Sequence, residues 1–106
     1  MNSIIEATKN KAYGYLRAFG FDEEEIEPVI QKGLRDLENT LVKLQVTVRS
    51  ENTPDLQTLD DLLHGLKGLL FQLGNHELAK EVDAIRRYEN PEELCMSVEK
   101  TLFTSS

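Results

Sequence analysis

The apolar residues of this chain recur at intervals of three and four, and this spacing limits the possible folds more than any other feature of the sequence. The clearest run consists of Ile30, Leu34, Leu37, Leu41, Leu44 and Val48. Such spacing places side chains on one face of an α-helix, whereas a half-buried strand needs alternation with a period of two. The sequence shows little alternation of that kind. The alternating steps of four and three are typical of a bundle helix with one continuous apolar seam, so the pattern predicts an all-α fold.

Capping residues and glycines divide the sequence into five predicted helices, at about residues 3–19, 23–50, 54–73, 76–89 and 91–104. Gly20 and Gly74 follow two of them, as glycine commonly does at a helix end. The predicted N-caps are Asp22, Thr53, Asn75 and Asn90. Glu25 stands three residues after Asp22, in the position of a capping box. Proline follows Thr53 and Asn90 in the first helical position, where its missing N–H costs little.

Every predicted connection after Phe19 is short, so we expect successive helices to lie antiparallel. The expected architecture is an antiparallel four-helix bundle with an additional N-terminal helix, as a single domain over residues 1–106. Hydrophobic residues make up 40% of the chain, which is enough for one core. Outside the second helix, the predicted core residues are Ile5, Ala12, Leu16, Phe19, Leu59, Leu63, Leu66, Leu70, Leu73, Leu78, Val82, Ile85, Leu94, Val98 and Leu102.

The charge of the chain bears on the class of partner. The formal net charge is −7, and no basic cluster matches the acidic run at residues 22–25. Because nucleic-acid binding depends on a basic stripe, we expect neither nucleic acid nor membrane as a partner. No apolar stretch is long enough to span a bilayer, and the first residues lack the pattern of a signal peptide. A single cysteine, Cys95, fits a reducing compartment, so we expect a cytoplasmic location.

The third predicted helix contains the segment HGLKG, residues 64–68, in which two glycines flank a lysine just after a histidine. At about 100° per residue, five leucines of this helix fall within about 40° of one direction, and His64 lies about 140° from that direction. These are Leu59, Leu63, Leu66, Leu70 and Leu73. Gly68, at about 180°, and Gly65, at about 120° in the opposite sense, also lie on the outer side of the helix. Each glycine costs roughly 1 kcal/mol relative to alanine inside a helix. Two of them beside a solvent-facing histidine indicate clearance for a bulky partner.

Three further residues of this helix are candidates for the same surface. Lys67 lies at about 80° on the helical wheel and can supply positive charge to an anion. Phe71, at about 120°, is a candidate contact for a protein partner, and Gln72 lies on the outer face as well. The alternative interpretation is that His64 is an ordinary exposed residue without a function.

The run HGLKGLLFQLGNHELAKEVDAI resembles the histidine-phosphotransfer (HPt) domain of bacterial phosphorelays. The signature of that family is a histidine, a lysine three residues later followed by a glycine, a second glycine six residues further on, and a leucine four residues after that. These positions are His64, Lys67, Gly68, Gly74 and Leu78. The chain departs from the family at Gly65, where larger residues are usual, and at Phe71, where small residues are frequent.

The resemblance implies that His64 is a phospho-acceptor that exchanges a phosphoryl group with receiver-domain aspartates or receives it from a sensor histidine kinase. It implies that Lys67 offsets phosphate charge and that Gly68 lets the receiver approach. Gly65, Phe71 and Gln72 would then contact the partner. In this family the receiver brings the Mg²⁺, so the chain would need no cofactor of its own and would be a carrier rather than an autonomous enzyme.

Two alternatives to a working carrier stay open. One is a degenerate HPt-like regulatory module that binds a kinase or receiver without carrying phosphate, and the other is an unrelated helical bundle. A metal site is not predicted, because His64 and His76 lie twelve residues apart on different predicted helices. His76-Glu77 also lacks the second histidine of the zinc motif H-E-x-x-H.

Overall fold

The backbone of residues 2–103, which a computed structural model describes, is almost entirely helical and contains no β-strand within that range. Its elements are α1 (Asn2–Ala18), α2 (Glu23–Val48), α3 (Leu56–Gln72), α4 (His76–Ile85) and α5 (Pro91–Val98). A π-helical turn, Glu99–Phe103, continues α5 directly. The predicted all-α class is confirmed. The last residue of the predicted fifth helix, at position 104, lies outside the described residues.

The start of α2 shows why the chain becomes helical at that point. The Asp22 carboxylate accepts a hydrogen bond of 2.9 Å from the Glu25 amide, and the Glu25 carboxylate accepts one of 3.2 Å from the Asp22 amide. This reciprocal pair satisfies two amides that have no partner within the helix. The predicted capping box is therefore confirmed.

The predicted start of the third helix is wrong by two residues. The N-cap is Asp55, whose carboxylate accepts a hydrogen bond of 2.7 Å from the Thr58 amide. This bond keeps the pKa of Asp55 below its usual value. A carboxylate at this position combines side-chain capping with a favourable interaction with the helix dipole, which the hydroxyl of Thr53 cannot match. Thr53 and Pro54 therefore remain in the preceding loop.

The predicted end of the fourth helix, at residue 89, is also wrong, since α4 ends at Ile85. The chain has to reverse before Pro91, which occupies the first turn of α5, and Asn90 adopts an extended conformation with φ −97° and ψ 121°. A residue before proline is disfavoured in the helical region. Residues 86–90 therefore form the connection instead of a further helical turn.

The core is a single cluster in which the apolar faces of all five helices meet. The five core leucines predicted for the third helix are buried: Leu59, Leu63, Leu66 and Leu70 of α3 are fully inaccessible, and Leu73, just after α3, is buried as well. The prediction that Phe19 belongs to the core is wrong, because 65% of its surface is exposed. Its ring packs edge-on against Tyr15 instead. It follows the last residue of α1, where the chain turns away at Gly20, which has φ +90°.

The helices pack in chain order, and α2 is the common support. It contacts α1, α3 and the π-helical turn, while α4 packs against α3 and α5. With 26 residues, α2 is about 39 Å long, which explains most of the 45 Å long axis of the molecule. Arg49 at its end donates hydrogen bonds of 2.6 and 3.2 Å to Glu99, and this pair ties the C-terminal turn to α2.

The turn between α3 and α4 is held against α1 by one buried polar contact and one close approach. The Asn75 side chain caps α4 and donates a hydrogen bond of 2.9 Å to the hydroxyl of Thr8, and both residues are buried. Gly74 has φ +81°, and a Cβ at that position would lie 2.6 Å from Cβ of Tyr15. Only glycine both adopts a positive φ readily and has no Cβ to collide with Tyr15. The conformation of this turn is therefore set by its packing against α1.

Candidate functional site

His64 lies on the outer face of α3 and is exposed, while the leucines on the opposite face of the same helix are buried. This placement agrees with the direction expected from the helical wheel. The described neighbours leave the imidazole open to solvent, so another protein can reach it.

The surface beside His64 is open at both glycines. Gly65 and Gly68 are exposed, and a Cβ built on either of them would meet nothing within 4 Å. Neither has a positive φ, so the backbone does not require glycine there. Packing does not require it either, and the two missing side chains leave bare helix next to the imidazole.

Lys67, predicted to face the same area, is half-buried and already has a partner. Its ammonium nitrogen lies 3.1 Å from Oδ1 of Asp83 on α4, and 5.9 Å from the centre of the Phe71 ring. The hydrogen bond from Lys67 is the main reason why the pKa of Asp83 lies below its usual value. Lys67 therefore stands near His64 as one half of an ion pair.

Arg86 is a site residue that the sequence did not indicate. Its guanidinium donates from Nε to Oδ1 of Asp60 at 2.8 Å and from Nη2 to Oδ2 at 3.4 Å. Its Nη1 lies 3.2 Å from Nδ1 of His64. Because a guanidinium only donates hydrogen bonds, Nδ1 meets it as an acceptor, and the proton of the neutral ring then lies on the other ring nitrogen, Nε2.

The acidic residue Asp83 joins the two cations. Its Oδ1 lies 3.1 Å from Lys67 Nζ and 3.5 Å from Arg86 Nη1. We call Asp60, Lys67, Asp83 and Arg86 the charged cluster. The hydrogen bond from Arg86 is the largest cause of the lowered pKa of Asp60. Both carboxylates are therefore ionised near neutral pH, and the two cations and two anions beside His64 have formal charges that cancel.

The proposed partner contacts differ in how much surface they offer. Gln72, the last residue of α3, is exposed. Phe71 is half-buried and packs against the core, in contrast to the exposed ring expected from the helical wheel. Its ring centre lies 5.3 Å from that of His76, which in turn contacts Tyr15. The first turn of α4 thus covers part of Phe71 and leaves only part of the ring for a partner.

The remaining signature residues have structural positions. Gly74 lies in the turn between α3 and α4, and Leu78 lies in the first turn of α4, where its amide donates to the Asn75 cap at 3.4 Å. Cys95 is half-buried, and burial raises its pKa, which opposes the thiolate form needed for reactivity.

The described residues also bear on a metal site and on a membrane-spanning helix. Over residues 2–103, no three or more histidine, cysteine or acidic side chains are grouped in a way that could hold a metal ion. None of the helices in the same range has both the length and the apolar character needed to cross a bilayer.

Comparisons of the chain with protein-family models, with curated proteins and with solved structures gave no match. The resemblance to HPt domains therefore rests on the five signature positions and on the helical fold that carries them.

Proposed function

We propose that this chain is a histidine phosphocarrier of a two-component phosphorelay and that His64 accepts and donates the phosphoryl group. One observation carries the proposal. An exposed imidazole stands beside two open glycines on one side and two cations, Lys67 and Arg86, on the other. This arrangement combines a nucleophile, room for a large partner and positive charge for phosphate.

The transfer needs little from the chain beyond this arrangement. The unprotonated ring nitrogen of neutral His64 attacks the phosphorus of an aspartyl phosphate, a P–N bond forms, and the P–O bond to the partner's aspartate breaks and leaves a carboxylate. The proton on the other ring nitrogen stays on the phosphorylated ring or passes to solvent. Donation is the reverse. Phosphoryl transfer depends mainly on positioning and on charge stabilisation. Lys67 and Arg86 supply part of that charge, and the Mg²⁺ expected on the receiver supplies the rest.

The finer architecture belongs to the same proposal. We infer that α2 to α5 form an antiparallel four-helix bundle and that α1 is the additional helix. Short connections between successive helices support it, as do the contacts of the π-helical turn with α2, which bring the end of the chain back to the longest helix.

The proposed partners are a receiver domain, a sensor histidine kinase or both, in the cytoplasm, with no nucleic acid or membrane as a partner. Gly65, Gly68, Gln72 and the free part of Phe71 are the proposed contacts. In this role the chain carries a phosphoryl group without a cofactor of its own and is not an autonomous enzyme. The acidic charge of the chain and the open surface around His64 support these assignments.

The test is phosphorylation by a receiver domain charged on its aspartate, or by a kinase with ATP. We expect an acid-labile, alkali-stable label on the wild type and none on His64→Gln. His76→Gln is the matched control, since it removes the other histidine and should leave the label unchanged. Label that persists in His64→Gln refutes the assignment. A stable complex that never becomes labelled favours the regulatory module that binds without carrying phosphate.

A further inference from the structure

We propose that Asp60 and Asp83 are tuning residues that keep the phosphoryl group on His64 only weakly held, so that it passes on readily. The inference rests on the proposed function, and it deepens it by assigning a role to two carboxylates beside the phospho-acceptor. It starts from the observation that neither cation at the site is free.

Both cations beside His64 already donate hydrogen bonds to carboxylates. Lys67 donates to Asp83, while Arg86 donates to Asp60 through Nε and Nη2 and lies 3.5 Å from Asp83 through Nη1. A phosphoryl group on His64 would draw on the same two cations. Because both of them already donate to carboxylates, the phosphoryl oxygens and the two aspartates compete for the same two side chains.

The charge of the cluster also affects a phosphoryl group on His64. A phosphoryl group brings about −1.5 to −2 charges at neutral pH. It arrives beside a cluster whose formal charges cancel, because Asp60 and Asp83 offset Lys67 and Arg86. Two unopposed cations would hold the phosphohistidine much more strongly. The aspartates therefore raise the free energy of the phosphorylated state relative to the free imidazole, and this favours donation to an acceptor.

The position of Asp83 makes it the better residue to test. Its Oδ1 touches both cations, and its side chain is about one-third exposed, so asparagine can replace it without burying a new polar group. The substitution leaves a neutral group of the same shape and releases Lys67 and the Nη1 edge of Arg86.

A matched control exists on α2. Lys32 and Asp36 form another lysine–aspartate pair, at 3.3 Å, and Asp36→Asn changes the net charge by the same amount. This pair lies on a different helix from His64, and the neighbouring Gly33 packs against Leu73, just after the end of α3 and nine residues beyond His64.

The experiment uses the small phosphoryl donor phosphoramidate, so it requires no knowledge of the natural partner. His64 attacks its phosphorus, a P–N bond to the imidazole forms, and the P–N bond to the protonated amino group of phosphoramidate breaks, so that this group leaves as ammonia. The ratio of phosphohistidine to free histidine is measured by ³¹P NMR at fixed phosphoramidate and ammonium concentrations. His64→Gln identifies the resonance that belongs to His64.

We expect Asp83→Asn to raise this ratio about three- to tenfold at low salt, as one unit charge a few ångströms away should in a partly exposed site. Asp60→Asn should raise it too, Asp36→Asn should not, and Arg86→Gln should lower it. The increase should shrink at 0.5 M salt, because it is electrostatic. A structural role of Asp83 would not produce this salt dependence.

The outcomes separate this inference from the proposed function. A wild type that takes no phosphoryl group at His64, from phosphoramidate or from a receiver, overturns both. A wild type that is phosphorylated, with the same ratio in Asp83→Asn and Asp36→Asn, overturns the tuning role alone and leaves the carrier standing.

Discussion

Gly68 provides the sharpest test of the idea that the surface beside His64 is kept bare for a partner. Glycine inside a helix costs about 0.8–1.0 kcal/mol relative to alanine. A Cβ at position 68 meets nothing within 4 Å, so no packing penalty offsets that gain. Gly68→Ala should therefore raise the free energy of unfolding by about 1 kcal/mol, which corresponds to a rise of about 4 °C in Tm. Gly68→Gln should raise it by about half as much.

The effect on transfer should go the other way. A helical side chain lies over the turn that precedes its own Cα, and for residue 68 that turn carries His64. Glutamine there should obstruct a receiver domain but not a small donor. We expect the rate of transfer from a phosphorylated receiver to fall about tenfold in Gly68→Gln, or about 1.4 kcal/mol in the barrier. Phosphorylation by phosphoramidate should keep its rate.

Urea denaturation followed by circular dichroism gives the stability, and rapid-quench labelling gives the transfer rate. Gly14→Ala is the control, because Gly14 is also helical with open space around its Cβ but lies on α1. It should stabilise the protein equally and leave transfer unchanged. If Gly68→Gln transfers at the wild-type rate, the explanation of this glycine by partner access is wrong. If Gly68→Ala is destabilised, the glycine has a structural role instead.

Two further predictions concern stability. Gly74→Ala should lower the free energy of unfolding by about 2–5 kcal/mol. The left-handed backbone should account for about 1–2 kcal/mol of this loss, and the collision with Tyr15 for about 1–3 kcal/mol. Gly20→Ala, with a similar φ of +90° and open space, should lose only the first part. Equal losses in urea denaturation would show that the contact with Tyr15 yields easily. The pKa of Asp60 is lowered in the folded state, mainly by its bond to Arg86. The ionised Asp60 carboxylate therefore stabilises the folded state fully above the unfolded pKa of about 3.9. This stabilisation is lost as the pH falls through the pKa of Asp60 in the folded state. The difference in unfolding free energy between wild type and Asp60→Asn should accordingly be present at pH 7 and disappear under strongly acidic conditions. A difference that is the same at both pH values would contradict this.

The N-termini of α2 and α3 show where capping residues alone are enough to predict the start of a helix and where they are not. The capping box of Asp22 and Glu25 follows from two residues three positions apart, and the structure contains it. At the next helix, Thr53-Pro54 and Asp55 are both plausible starts by local rules, and the stronger acceptor, Asp55, is the N-cap. The helix boundary there depends on a small difference between two nearby caps, which a pattern of residue types does not resolve.

Some features of the candidate site also follow from local rules, whereas others depend on the tertiary structure. The outward direction of His64 and the position of its two glycines follow from the turn of 100° per residue and the line of leucines on α3. Arg86 does not follow from any such rule, because it lies 22 residues from His64 and reaches it only when α4 packs against α3. The pairing of Lys67 with Asp83 depends on the same packing.

The sequence by itself determined the helical class, the buried face of α3 and the exposure of His64, because each depends on periodicity within one helix. Only the tertiary structure decided that Phe71 is half covered, that Phe19 stays in solvent and that the cations near His64 are paired with carboxylates. These are contacts between elements. Their distances depend on how whole helices pack, and neighbouring residues in the chain carry no information about that.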